Sequence, residues 1–393
     1  MKLTRADRSR LAEWWFTVDH VLLTAFLGLI GIGLVLSLAA SPAVAIKKGL
    51  STYYFVERHA VFSVLSAVVL VSVSLLSPQG IRRLALGLML AALAAMTVVI
   101  LTGQELNGAR RWLSFAGYSL QPSEFAKPGF VVIMAWLFSE AASRKDVPAL
   151  PFAILIWTAF AALLVLQPDV GQTVLISVTA GALYLLAGLP LAGAAVMLVL
   201  GGAGLWFAYL NFAHVRGRID SFFSPFPFEN FQSARAMQSF SEGGFFGRGP
   251  GEGTIKSVLP DAHTDYIFAV VAEEYGIIAC LILLSMFTFI VLRALMGAAR
   301  ESDAAIRLAI QGLAVLFGLQ ALINMAVNVG LVPPKGMTLP FISAGGSSML
   351  ALAVTAGMLL SLTRRRPDVQ RLKKPRLVPT LGAAEYEGTS TTR

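Results

Sequence analysis

About ten runs of apolar residues dominate this chain, each long enough to cross a bilayer core of about 30 Å as an α-helix of roughly 17–25 residues. The plain ones occupy 21–40, 60–76, 84–101, 149–166, 170–187, 189–210, 277–292, 308–331 and 341–362. Another, near 122–138, carries Glu124 and Lys127 in its first turns, which suits an interface or a cavity better than lipid. The runs are rich in Ala, Val and Leu with scattered Gly, as closely approaching helices are, and lack the alternation of an outer-membrane barrel. Only 13% of the 393 residues are charged, against roughly 25% in a soluble domain. With a mean hydropathy of +0.72 this excludes a water-soluble enzyme, a disordered chain and a coiled coil. A single cysteine, Cys280, excludes a disulfide scaffold. An all-α polytopic membrane protein of about ten transmembrane helices remains.

A net charge of +9 does not call for nucleic acid, because membrane proteins gather Lys and Arg in their cytoplasmic loops. Placing both termini in the cytoplasm collects Lys2, Arg5, Arg8 and Arg10, then Arg82 with Arg83, Arg144 with Lys145, Arg293 with Arg300, and Arg364, Arg365 and Arg366 on one side. Many basic residues of the other side lie in one long loop, where the rule is weak. The expected organisation is a cytoplasmic tail over 1–19, a ten-helix domain over 20–363 in the inner membrane, and a flexible cytoplasmic tail over 364–393. The first run lacks a convincing small-residue cleavage site and reads as a retained span.

Three outward segments are too elaborate to be connectors: 103–124, a large loop at about 211–264, and 330–348. Loops beyond about 12–15 residues are uncommon unless functional or disordered. The longest carries Phe222, Phe223, Phe226, Phe228 and Phe231, which a disordered linker would lack. Its glycine run, Ser241 to Gly253, is expected to be a flexible lid, since no P-loop Lys-Ser/Thr follows it.

The charged motifs fall in and beside these segments. In Asn107-Gly-Ala-Arg-Arg-Trp112, Arg110 and Arg111 can fork onto phosphate oxygens, and Trp112 can stack on a sugar or anchor in the interface. Gln121-Pro-Ser-Glu-Phe-Ala-Lys127 sets Glu124 and Lys127 three apart, so they either pair with each other or line a polar cavity. Asp169 of Gln167-Pro-Asp either caps the next helix or faces that cavity. Leu259 to Glu274 brings His263, Thr264, Asp265, Glu273 and Glu274 to one membrane edge, more ionisable groups than capping and salt bridging need. Gln320, Asn324 and Asn328 make a polar stripe, joining helices or lining a path, that leads to Lys335, Ser343 and Ser347, side chains suited to anions at a helix start.

Taken together, NGARRW, QPSEFAK, QPD, the QS-to-GRG loop, HTDYIFAVVAEEYG and PPKGMTLPFISAGGSS resemble, in order and over nearly the whole chain, the SEDS family of bacterial cell-envelope proteins (shape, elongation, division, sporulation). The opening TRADRSRLAEWWFTVDHVLL and the segment AASPAVA are more similar to its division branch than to its elongation branch. Three positions depart from the family pattern: Ala344 replaces Tyr, Tyr266 replaces Phe, and PPKG replaces PTKG. The resemblance implies a ten-helix fold and a peptidoglycan glycosyltransferase polymerising lipid II at the septum, beside a class B penicillin-binding transpeptidase and other divisome proteins. Carried over by motif, it implies an essential aspartate at Asp265, with Arg111, Trp112, Glu124 and Lys127 in support.

The residues are compatible with that chemistry. An acceptor hydroxyl must lose a proton as it attacks an anomeric carbon, a task for Asp265 as general base. The lipid pyrophosphate leaving group calls for Arg111, Lys127, Lys335 or a divalent cation such as Mg²⁺ or Mn²⁺. Arg110, Gln121, Glu124, His263, Thr264, Glu273, Ser343 and Ser347 complete the expected substrate-binding set. Two other readings stand beside it: a lipid II flippase or transporter using the buried polar groups, and a non-catalytic divisome scaffold.

Overall fold

A computed structural model describes residues 9–103, 110–115, 118–224 and 231–365. Helix α1 (Arg10–Thr17), capped by Ser9, occupies part of the segment expected as a tail. The first seven apolar helices follow: α2 (His20–Lys47), α3 (Tyr54–Ser74), α4 (Pro78–Thr102), α5 (Pro122–Ser143), α6 (Ala149–Leu166), α7 (Val170–Leu186) and α8 (Leu191–Asn211). The long loop holds α9 (Ala213–Phe223) and α10 (Phe231–Gly243), and the chain returns to the bundle as α11 (Ile267–Ala298), α12 (Ala304–Asn328) and α13 (Gly346–Leu362). Eight of these helices are long and apolar enough to cross a membrane, and α7 and α13 are shorter apolar helices of 17 residues. Each expected run is therefore a helix, and the protein is a multi-pass membrane protein. Between α4 and α5, strands β1 (Leu113–Phe115) and β2 (Tyr118–Leu120) pair antiparallel.

Local signals explain the helix starts. Side chains of Asp19, Ser77, Asp169 and Asp303 accept from free N–H groups at the starts of α2, α4, α7 and α12. Pro78 and Pro122 stand in first turns, where a missing N–H costs nothing. Helices α5, α12 and α13 are the most enclosed, whereas α8 turns most of its surface outward. Glu124, Lys127, Gln320, Asn324 and Asn328 lie on α5 and α12 and are buried against protein, which removes the cost of exposing them to lipid.

Without a hydrophobic force between helices in lipid, close packing must hold the bundle. At its centre the Phe26 and Phe317 rings meet edge to face at 5.5 Å, with Phe287 and Phe341 beside Phe317. Such pairs contribute about 0.5–1.5 kcal/mol each beyond their burial. Phe341 belongs to the segment between α12 and α13, which therefore dips into the core. Gly33 of α2 admits it: a Cβ there would stand 2.0 Å from the Phe341 carbonyl oxygen.

One helix is broken. At Gly276 the backbone has φ 80° and ψ 177°, dividing α11 into a buried piece, Ile267 to Tyr275, and a spanning piece from Ile277, the start expected for the span. The N–H groups freed by the break donate to the carbonyls of Gly244 (2.9 Å) and Phe245 (3.3 Å). The described chain ends meet on one side of the bundle: Arg364 pairs with Glu13 at 3.2 Å and the Arg365 N–H donates to the Thr17 carbonyl. Gly276→Ala is expected to destabilise the protein by about 1–3 kcal/mol through backbone strain alone. The readout is a lower thermal midpoint in detergent, with Gly181→Ala, whose Cβ meets nothing within 4 Å, unchanged or higher.

Candidate active site

The three outward segments converge on a cavity of about 490 Å³ on the face opposite the chain ends. Arg58 and Phe62 of α3, the hairpin with Arg111 and Trp112, the first turn of α5, and the segments Asp261–Tyr266 and Pro334–Ser348 enclose it.

Asp265 stands in this cavity, half-buried, in a turn built by its own loop. Asp261, at φ 52°, turns its carbonyl to accept from the N–H groups of Thr264 (3.0 Å), Asp265 (3.1 Å) and Tyr266 (3.3 Å). The polar stripe of α12 then holds the loop in place. Asn324 and Asn328 both donate to the Asp265 carbonyl, at 2.9 and 3.0 Å, and Asn328 accepts from the Ala269 N–H at 3.0 Å, satisfying the opening turn of α11. Ser343 donates to the Thr264 carbonyl at 2.5 Å and accepts from the Leu339 N–H at 2.8 Å. The backbone is thus fixed from two sides. Gly336 borders the carboxylate: a Cβ there would lie 3.5 Å from Asp265 Oδ2, an ordinary contact.

Cationic groups come from two directions. Arg111 donates to the Gln167 carbonyl at 3.1 Å and to the Pro168 carbonyl, and its guanidinium lies 3.8 Å from Asp169. Asp169 caps α7, accepting from Gln172 N–H at 3.4 Å, and also accepts from the Gln121 amide at 3.3 Å. It stands outside the cavity lining, behind Arg111, so the capping reading of the motif is the one that holds. Lys335 lines the cavity, and its amine is pushed below the usual lysine range by burial, with Asp169 working in the other direction.

Glu124 lines the cavity, but Lys127 lies behind it. Lys127 donates to Glu124 Oε1 at 2.9 Å and to Gln320 at 3.0 Å, and Gln172 donates to the same carboxylate oxygen at 2.6 Å. Lys127 therefore acts on the cavity through Glu124. Ser347 donates to the Ser119 carbonyl at 2.7 Å and accepts from Gln121 N–H at 3.3 Å, tying the hairpin to the start of α13.

Other expected site residues lie elsewhere. Arg110 is exposed outside the lining, and Ser343 acts through backbone. His263 turns into a side chamber against Phe55, ring centroids 4.5 Å apart. Glu273 is also remote from the cavity: it accepts from the N–H groups of Thr254 (2.6 Å), Ile255 (2.8 Å) and Lys256 (3.2 Å). Glu274 accepts from Gly251 N–H at 2.9 Å and pairs with Lys256. Glu274 thus holds Gly251 within the glycine run, and the carbonyls of Glu273 and Glu274 accept from the N–H groups of Arg248 (2.9 Å) and Gly249 (3.0 Å). The Glu273 carboxylate fixes the residues just after the run, so the expected flexible lid is instead a clamped turn. Asn107 to Ala109, Phe226, Phe228 and the tail from Arg366 lie outside the described residues.

Sequence reasoning missed Arg58, Gln232 and Asp261. Arg58 carried a signal, a charge in the opening turn of an apolar span. All three family departures, Tyr266, Pro334 and Ala344, form cavity wall, and the Tyr266 hydroxyl lies 3.4 Å from Gln232 Oε1. Among the described residues no three His, Cys, Asp or Glu side chains gather as a metal cage. Asp261 and Asp265 line the same cavity, a donor set that fits a cation retaining much of its water, as Mg²⁺ does.

A helical bundle that keeps an aspartate, an arginine and a lysine around one open cavity defines a membrane-embedded protein acting on a polar group presented at the membrane surface. The family described as Cell cycle protein, grouping FtsW, RodA and SpoVE, matches residues 20–367, and the chain belongs to it. It is 46% identical over 367 residues to the probable peptidoglycan glycosyltransferase FtsW of Caulobacter vibrioides, covering 92% of this chain and 93% of that one. The corresponding protein of Halomonas elongata is 34% identical, covering 96% and 98%. Among solved structures, a chain from "Structural coordination of polymerization and crosslinking by a peptidoglycan synthase complex" matches with TM-score 0.73 and 26% identity, covering 89% of this chain and 98% of that one. The rod shape determining protein RodA of Thermus thermophilus matches with TM-score 0.66 and 27% identity, covering 89% and 97%.

Removing one partner of a buried ion pair leaves an uncompensated charge, so Lys127→Met is expected to cost about 3–5 kcal/mol. Thermal unfolding of the purified protein reads this loss, and the double variant Glu124→Gln/Lys127→Met is expected to recover most of it.

Proposed function

We propose that this protein is a peptidoglycan glycosyltransferase that polymerises lipid II during septal wall synthesis, with Asp265 as general base. The observation that carries the reading is Asp265 itself, a carboxylate on a backbone clamped by Asn324 and Asn328, in a cavity that also holds Arg111 and Lys335. Asp265 takes the proton of the acceptor sugar hydroxyl as its oxygen attacks the anomeric carbon of the donor. The bond from that carbon to the pyrophosphate oxygen breaks, and attack from the opposite face inverts the anomeric centre.

The charge appearing on the pyrophosphate is met by Arg111 and Lys335. Asp169 and Gln121 hold the Arg111 side of the cavity, Lys127 fixes Glu124, and Trp112 offers a face on which a sugar ring can stack. A divalent cation held by Asp261 beside Asp265 would supply further positive charge to the pyrophosphate. The isoprenoid tail of the donor stays in lipid, which accounts for an active site built at the end of a membrane bundle. A class B penicillin-binding transpeptidase is the partner of this reading, with the division septum as its place of work. The resemblance of the opening segment to the division branch and the 46% identical FtsW of Caulobacter vibrioides support that placement.

With the protein purified in complex with its cognate transpeptidase, wild type is expected to form glycan strands from lipid II. Asp265→Asn is expected to lower the rate at least about 10²-fold while the complex stays intact. Equal strands from both would discard Asp265 as the base, and lipid II crossing proteoliposomes with no strands from either would point to a flippase.

A further inference from the structure

Beside the main cavity lies a second chamber of about 180 Å³, between α3 and the segment that leads into α13. Arg58, Phe62, Ala344, Gly345 and Gly346 line both spaces, so the chamber opens beside the place where a substrate would lie. Its remaining surface is of two kinds. Phe55 and Met349 are apolar wall, and the imidazoles of His59 and His263 are the polar part.

Both histidines are more than nine-tenths buried, at 2% and 5% exposure. Both ring nitrogens of His59, and Nδ1 of His263, lack a hydrogen-bond partner among the described residues. Buried polar atoms in native proteins are nearly always paired, and a cluster of exceptions in one small chamber calls for a use. The His263 ring is held in place by the Phe55 ring, and its carbonyl accepts from the Ala344 N–H at 3.0 Å. Burial, reinforced by Lys48, pushes its pKa down to about 4 against the pull of Asp261, so the ring is neutral at neutral pH.

A neutral imidazole presents one N–H and one lone pair. The chamber thus offers donor and acceptor together, against an aromatic and thioether wall. A phosphate or carboxylate needs donors only and is better served by Arg58 at the mouth. A bare hydroxyl leaves the apolar wall without contact. An acetamido group matches every feature: its carbonyl accepts from an imidazole N–H, its N–H donates to an imidazole lone pair, and its methyl meets Phe55, Phe62 and Met349.

We propose that this chamber is the subsite for the N-acetyl group of a sugar bound in the main cavity, with His59 and His263 as its recognition residues. The assignment rests on the glycosyltransferase reading and extends it by naming the substrate feature that is read. The transpeptidase complex is tested with lipid II and with an analogue whose acetamido groups are free amines. Wild type is expected to prefer lipid II at least about tenfold in kcat/KM, since a site built to hydrogen-bond a group rejects its absence strongly. His59→Phe, which fills the chamber with a ring of similar size, is expected to raise KM for lipid II about tenfold and to shrink that preference. His59→Gln, which keeps a donor and an acceptor, is expected to retain more of the preference for lipid II than His59→Phe does, and co-elution with the transpeptidase reports that each variant is folded.

Equal use of both substrates by wild type, or an undiminished preference in His59→Phe, would overturn the subsite while leaving the transferase standing. No strands from wild type with lipid II would instead overturn the transferase reading, and the subsite with it.

Discussion

Non-helical backbone inside a helical membrane bundle must find its hydrogen bonds within the protein, and the rest of this structure depends on how that demand is met. The segment that carries Asp265 enters the bundle between α10 and α11 without regular structure of its own. Asn324 and Asn328 answer it from α12, one helical turn apart and both donating to the Asp265 carbonyl. Ser343 answers it from the opposite segment, at the Thr264 carbonyl. The same bonds that remove the cost of burying these carbonyls set the position of the Asp265 backbone. Structural satisfaction and placement of the reactive group are one arrangement.

A second layer of the same logic surrounds the cavity. Glu273 and Glu274 hold the glycine run and the residues just after it by their backbone N–H groups, and Lys256 bridges from Glu274 to the Ala39 carbonyl of α2. Asp169 caps α7 while facing Arg111, and Lys127 offsets the charge of Glu124 beneath the cavity floor. Ionisable groups fixed by such bonds lose little freedom when a charged ligand arrives, which is the condition under which preorganised charge stabilises a transition state most. The His59 and His263 chamber differs in kind, because its buried nitrogens lack partners among the described residues.

Much of the fold was legible because its main determinant is one-dimensional. A run of apolar residues long enough to span a bilayer is a helix in almost any context, and each run matched a helix, including the start of the spanning piece at Ile277. The Asp169 cap and the Glu124–Lys127 pair were legible for the same reason, since both are contacts within about one helical turn. The glycine run was misread as a lid because its restraint comes from Glu273 and Glu274, some twenty residues away. Arg58 was missed because its place at the cavity depends on how α3 packs, and Glu273 was assigned to substrate because its neighbours in sequence are cavity residues.

The sequence by itself determined the ten apolar helices, the class of protein and the set of charged motifs, because hydropathy and spacing act over one or two turns; helices α1, α9 and α10, which are not apolar spans, escaped it. The tertiary structure alone decided which of those motifs share a cavity. It turned Asp265, Arg111 and Lys335 toward one space, put Lys127 behind Glu124, and sent Glu273 and His263 elsewhere. The physical reason is that a side chain's destination depends on the rotation and tilt of whole helices, and these are settled by packing partners distant in the chain.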